Sequence, residues 1–153
     1  MCGPSGSGKT TYARGLEEEG MVRLSFDSEI WARGITAVPL NPDVRAEIEA
    51  GLRARLLELV EQGADVVLDF SFWSRATRDD YRTLLASVGV VPETVYLATT
   101  RGTVLARMRA RRGSHPDDFV LDEDLVAAYV DHFEVPSPDE GPLTVAREPG
   151  PPD

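Results

Sequence analysis

Lysine is almost absent from this chain: of its 16 basic residues 15 are arginine, and the single lysine is Lys9. Cysteine is reduced to Cys2, which excludes an internal disulfide framework, and no Cys/His grouping has zinc-site spacing. His115 and His132 stand apart in sequence and suggest no shared site. Long apolar runs are also missing. Nothing approaches the roughly 20 residues needed to cross a bilayer, and the N-terminus lacks the basic segment and apolar run of a secretory signal. A cytoplasmic protein with no membrane partner is therefore expected. Positive charge is scarce as well, with 16 basic against 26 acidic residues and a formal net charge of −10. Such a field repels a polyanion over most of the surface, so a nucleic-acid partner is disfavoured and would need a local basic patch.

What is present fits one globular domain. A chain of 153 residues with 42% hydrophobic content can bury a real core but has no room for a second one. The expected domain covers residues 1–148, with a disordered tail at 149–153, where the prolines and glycine of EPGPPD cannot pack. Strands and helices alternate along the chain. A helix is expected from Thr10 to about Glu19, a strand over 21–26, and a short helical stretch from Ser28 to Arg33. Val44, Ile48, Leu52, Leu56, Leu59 and Val60 recur at spacings of three and four, which predicts a long amphipathic helix over 43–62, closed by Gly63. The continuous apolar run in ADVVLDFSF (64–72) predicts a strand buried on both faces, and Ser74 an N-cap for the helix that follows to about Val88. A strand over 94–99, helices over 103–112 and 122–133, a turn at PSPDEG and a last strand over 143–147 complete the pattern. Strict alternation predicts an α/β three-layer fold with a mostly parallel sheet, whose ligands bind at the carboxyl ends of the strands.

Four features lie at those ends. Gly3-Pro4-Ser5-Gly6-Ser7-Gly8-Lys9-Thr10, followed by Thr11, matches G-x-x-x-x-G-K-[ST] in full. Glycines let successive N–H groups converge on phosphate oxygens, and the helix after them aims its positive end at the same place. Lys9 suits the β- and γ-phosphates of ATP, and the Thr10 hydroxyl suits Mg²⁺. Asp27 stands just past a strand; it either accepts a proton from an attacking hydroxyl or belongs, like Ser28, to a helix cap. Asp69 ends the apolar strand VVLD, where it orders Mg²⁺ or its waters, positions the acceptor, or serves only as a turn residue. The run RMRARRG (107–113) places Arg107 and Arg111 one helical turn apart. Like charges this close repel unless an anion or nearby carboxylates sit among them, which predicts an arginine lid over about 107–120.

With these in order, the chain resembles the P-loop kinases of the small phosphotransferase group. The nearest patterns are the polynucleotide-kinase-like and chloramphenicol-phosphotransferase-like proteins of the AAA_33 type; zeta-toxin and gluconate kinases are further off. The resemblance rests on GPSGSGKTT, SFDSEIW, VVLDFSFWSRATRDDYR and LARMRARRG, and only the first is sharply specific. It implies Asp27 as general base, Asp69 as the strand-end aspartate near the metal, and Arg107 and Arg111, with Arg112, as lid arginines. Two departures stand out. Phage-type polynucleotide kinases carry an arginine where this chain has Ile30, with Arg33 one turn further on. The central strand that normally precedes a P-loop is represented only by Met1 and Cys2, so a truncated first strand, or a damaged version of a working kinase, is expected.

The function these readings imply is an ATP- and Mg²⁺-dependent phosphotransferase acting on a hydroxyl of a small-molecule acceptor. Phe72, Trp73, Arg75 and Arg78 would line the acceptor side together with Asp27. The competing readings are a polynucleotide or nucleoside 5′-hydroxyl kinase, and an ATP-binding regulator or inactive remnant without phosphoryl transfer. The sequence names neither the acceptor nor an oligomeric state.

Overall fold

A computed structural model of the chain describes residues 1–36, 39–110 and 123–147. In chain order the elements are α1 (Lys9–Glu18), β1 (Val22–Ser25), α2 (Phe26–Ala32), α3 (Pro42–Glu61), β2 (Val66–Asp69), α4 (Arg75–Ala86), β3 (Thr94–Ala98), α5 (Arg101–Ala110), α6 (Glu123–Asp131), a 3₁₀ turn (Pro138–Glu140) and β4 (Leu143–Arg147). They fall into two compact units, one made of Met1–Lys9 with Ser71–Asp153, the other of Thr10–Phe70. The expected α/β architecture with parallel strands is what forms, in two small sheets.

In the Thr10–Phe70 unit, β1 and β2 pair in parallel, with Val22 opposite Val66 and Ser25 opposite Asp69. Burial along β2 alternates between full and partial, so only one of its faces is fully covered, where the sequence predicted two. The long helix α3 forms as its periodicity requires. Asn41 Oδ1 accepts the Asp43 N–H at 2.9 Å and Pro42 occupies the first turn, where its missing N–H costs nothing. Ile48, Leu52, Leu56 and Leu59 form its buried stripe. The strand β1 stops at Ser25 because that residue's hydroxyl caps α2, accepting the Ser28 N–H at 3.2 Å. The helix therefore starts at Phe26, two residues earlier than the sequence predicted.

In the other unit, β3 and β4 pair in parallel from Thr94 opposite Leu143 to Ala98 opposite Arg147. Cys2 adds a single parallel bridge to Tyr96: its N–H donates to Val95 O at 2.8 Å and its carbonyl accepts from Leu97 N at 2.9 Å. Cys2 and Val104 are fully buried there, with Tyr81, Leu85, Leu97 and Val126 close to it. The helix α4 starts where Ser74 Oγ accepts the Thr77 N–H at 3.2 Å, as its sequence predicted. Among the described residues no helix is long and apolar enough to cross a membrane. Arg111, Arg112, the rest of the expected lid and the tail 149–153 lie outside the described residues.

Candidate active site

The glycine-rich loop is built on backbone that only glycine adopts readily. Gly3 has φ +154° and Gly6 has φ +82°. At Gly3 space adds to this, since a Cβ would lie 2.6 Å from Ser7 Oγ; at Gly6 a Cβ would meet Cγ and Sδ of Met108 and the Val104 carbonyl at 3.4 Å, an ordinary contact, so the φ alone selects glycine there. The Ser7 N–H donates to Pro4 O at 3.1 Å, which closes the loop on itself, and Thr99 Oγ1 donates to Ser7 O at 3.1 Å. The Gly3 N–H donates to Ser71 O at 3.1 Å.

Two cations lie on this loop. Lys9 is buried and its Nζ donates to Pro4 O at 2.9 Å. Arg107, on α5, donates from Nη1 to Gly6 O at 3.3 Å, so one of the two arginines expected at the phosphates does reach the loop. The loop also holds an orphaned polar atom: among the described residues Ser7 Oγ is buried without a hydrogen-bond partner. Buried hydroxyls are nearly always paired, so an orphan in this glycine-rich loop fits a loop shaped for an anion. The residues present therefore fit a nucleotide phosphate. Magnesium is usually held by one or two protein oxygens together with phosphates and waters, and the hydroxyl of Thr10, next in sequence to Lys9, is an oxygen of that kind. Among the described residues no group of three His, Cys, Asp or Glu side chains could hold a metal by itself.

Phe72, Trp73, Arg75 and Arg78, which were expected on the acceptor side, belong to the same unit as the loop. Phe72 has φ +46°, unusual for a bulky side chain, and its ring meets Tyr81 edge-on at 5.0 Å between centroids. Trp73 is 45% exposed. Arg75 pairs with Asp139 at 2.9 Å and with Asp79 at 3.5 Å. Arg78 was expected to line the acceptor side, but it is 3% exposed and bound to Glu140. Its Nε and Nη2 donate to the two carboxylate oxygens at 2.8 Å each, and Nη1 donates to the carbonyls of Phe72 and Glu134 at 2.9 Å. Burial works to lower the Arg78 value, the Glu140 bond overrides it, and the net shift is upward. The Arg78 hydrogen bond holds the Glu140 carboxyl down to about 2. Burial raises the Cys2 thiol, with the nearby Arg78 charge opposing it, so Cys2 stays a neutral core residue.

The Thr10–Phe70 unit carries Thr10, Thr11, Asp27 and Asp69. Thr10 and Thr11 are exposed on the first turn of α1. Asp27 is exposed on the first turn of α2, at the positive end of the helix. The cap that the sequence assigned to Asp27 or Ser28 is made by Ser25. Asp69 is 6% exposed, and its Oδ2 accepts from Arg23 Nη1 at 3.1 Å, while Arg23 Nε reaches Glu17 at 3.1 Å. Sequence reasoning missed Arg23. No sequence signal pointed to it, because its partner lies 46 residues away on β2 and only the parallel pairing of β1 with β2 brings the two strands together. Ile30 is buried, and Arg33 pairs with Glu47 at 2.8 Å.

The fold and the loop define a P-loop protein of the small phosphotransferase type, and the comparisons agree. The chain belongs to the AAA domain family AAA_33, whose model matches residues 1–136. Its fold is similar to that of a gluconokinase from Sinorhizobium meliloti 1021, with a TM-score of 0.66 at 23% identity over 98% of this chain and 81% of that one. None of the curated proteins matches this chain.

Proposed function

We propose that the protein is an ATP- and Mg²⁺-dependent phosphotransferase that moves the γ-phosphoryl group of ATP to a hydroxyl of a small molecule. The observation that carries this reading is the convergence of Lys9 and Arg107 on the carbonyls of one glycine-rich loop. Such a loop supplies backbone donors to the phosphates, and two cations beside it are suited to the charge that spreads over the γ-phosphoryl oxygens during transfer. In that reaction the acceptor oxygen forms a bond to the γ-phosphorus, the bond to the β,γ-bridging oxygen breaks, and ADP leaves. Asp27 takes the proton of the acceptor hydroxyl, a role that its exposure and the capping of α2 by Ser25 rather than by Asp27 support. Thr10 and Asp69 would hold Mg²⁺, which neutralises charge on the β- and γ-oxygens when bound.

A small-molecule acceptor is favoured over a nucleic-acid 5′ end by the net charge of −10 and by Ile30, which is core here. The similarity to a gluconokinase fits the same class of acceptor, a soluble polyhydroxy compound, without naming it. The reading is tested by ADP release from MgATP across a panel of sugars, nucleosides and other small alcohols. At least one acceptor should raise release well above the basal rate, and the gain should vanish in Lys9→Ala. Tight ATP binding with no acceptor-dependent release from any member would favour an ATP-binding regulator instead.

A further inference from the structure

We infer that the buried Arg78–Glu140 pair, together with Glu134, is a positioning device that fixes the turn 72–75 and holds the Trp73 indole in place at the acceptor side. This rests on the reading above in which Phe72 and Trp73 belong to that side.

A buried guanidinium is costly unless nearly all its N–H groups are paired, so where those groups go is informative. Two of them go to Glu140, but Nη1 goes to two backbone carbonyls, Phe72 O and Glu134 O. One side chain on α4 thus binds both the turn before its own helix and the segment after α6. Glu134 binds the same turn from the other direction. Its N–H donates to Trp73 O at 2.8 Å, and its Oε2 accepts the Arg75 N–H at 2.7 Å. Glu140 is fixed in its turn by Ser137 N–H at 3.3 Å and by Arg82 Nη1 at 3.3 Å. Cys2 Sγ also donates to Phe72 O at 3.4 Å, and Ser71 O accepts the Gly3 N–H, so the turn is tied to the first residue of the phosphate loop.

The carbonyls of Ser71, Phe72 and Trp73 are therefore all engaged, and Phe72 is kept at a positive φ by this over-determination. Its ring is packed on Tyr81. The one large apolar side chain that the turn leaves open is Trp73, at 45% exposure. A pair serving only the stability of α4 would not need to reach the carbonyls on either side of the connection. Here the charged pair fixes the peptide from which the indole projects.

The chain has two tryptophans, so a Trp31→Phe background leaves Trp73 as its only indole. In that background, Glu140→Gln keeps size and an acceptor oxygen but removes the charge. It should raise acrylamide quenching of Trp73 emission by about twofold or more and shift the emission, while MgADP affinity by calorimetry stays within about twofold. Glu134→Ala leaves the buried pair intact and removes one acceptor from the turn; it should move quenching in the same direction by a smaller factor, and it serves if Glu140→Gln does not fold. Unchanged quenching in a folded variant would overturn the positioning role. A loss of MgADP affinity in step with the quenching change would overturn it too, because the pair would then be a general support of the unit. Trp73→Ala separates the underlying reading: unchanged acceptor-dependent ADP release would remove Trp73 from the acceptor side, whatever the quenching shows.

Discussion

Lys9 Nζ donates to the carbonyl oxygen of Pro4 at 2.9 Å, so the chain's single lysine spans the loop that it terminates. Everything proposed for the protein depends on that loop keeping its shape. Gly6 is where the shape is most exposed to change, because its φ of +82° is one that a side chain disfavours. Gly6→Ala should cost about 1–3 kcal/mol in stability and weaken MgATP binding. Thermal denaturation and calorimetry on the same variant check both effects, and an unchanged melting temperature would contradict the strain.

Asp27→Ala should lower acceptor-dependent ADP release by about 10²- to 10⁴-fold, the usual contribution of a general base. Binding of MgATP should be unaffected, because the proposed role of Asp27 is at the acceptor. Turnover that survives the substitution would return Asp27 to the role of a helix-start carboxylate favoured by the positive end of α2.

Asp69 is buried against Arg23, and removing the arginine would leave an unpaired carboxylate in the interior. Arg23→Met should therefore destabilise the protein by about 3–5 kcal/mol, read by urea denaturation at neutral pH. Magnesium should recover part of that loss if Asp69 is a metal ligand, because a bound cation replaces the lost charge. No destabilisation would mean that the pair has no weight in the fold.

Acid should find the Arg78–Glu140 pair. The ordinary value of the Glu140 carboxyl is 4.5, and in the folded protein it is about 2. Between those values the unfolded chain binds a proton that the folded chain does not, so stability falls as pH falls. The contribution is complete above about pH 4.5 and is lost as pH approaches 2. Denaturation midpoints measured across this window should drop with pH in the wild type, and the slope should be shallower in Glu140→Gln. Equal slopes would show that other carboxylates govern the acid transition.

Much of this structure was legible in the sequence, for reasons that are local. The stripe Ile48, Leu52, Leu56, Leu59 placed α3, the Ser74 cap placed the start of α4, and the strand 143–147 has the expected limits. The phosphate loop was legible because its spacing is itself the chemistry. Short-range caps were harder to place: Thr100 Oγ1 accepts the Thr103 N–H, so α5 begins at Arg101, two residues before the expected start. The ion pairs were not legible at all. Arg23 and Asp69 are 46 residues apart, and Arg78 and Glu140 are 62 apart. Arg78 shows the consequence. By type and position it read as an acceptor-side residue, and only the arrival of Glu140 from the far end of the unit turned it into a buried structural group.

The most direct test is calorimetric titration of MgATP into the wild-type protein and into Lys9→Ala. The wild type should bind at one site, and loss of the charge-assisted contacts of Lys9 should weaken binding by at least about tenfold. Equal affinity in the two proteins would contradict the assignment of this loop as the nucleotide site, and with it the phosphotransferase reading.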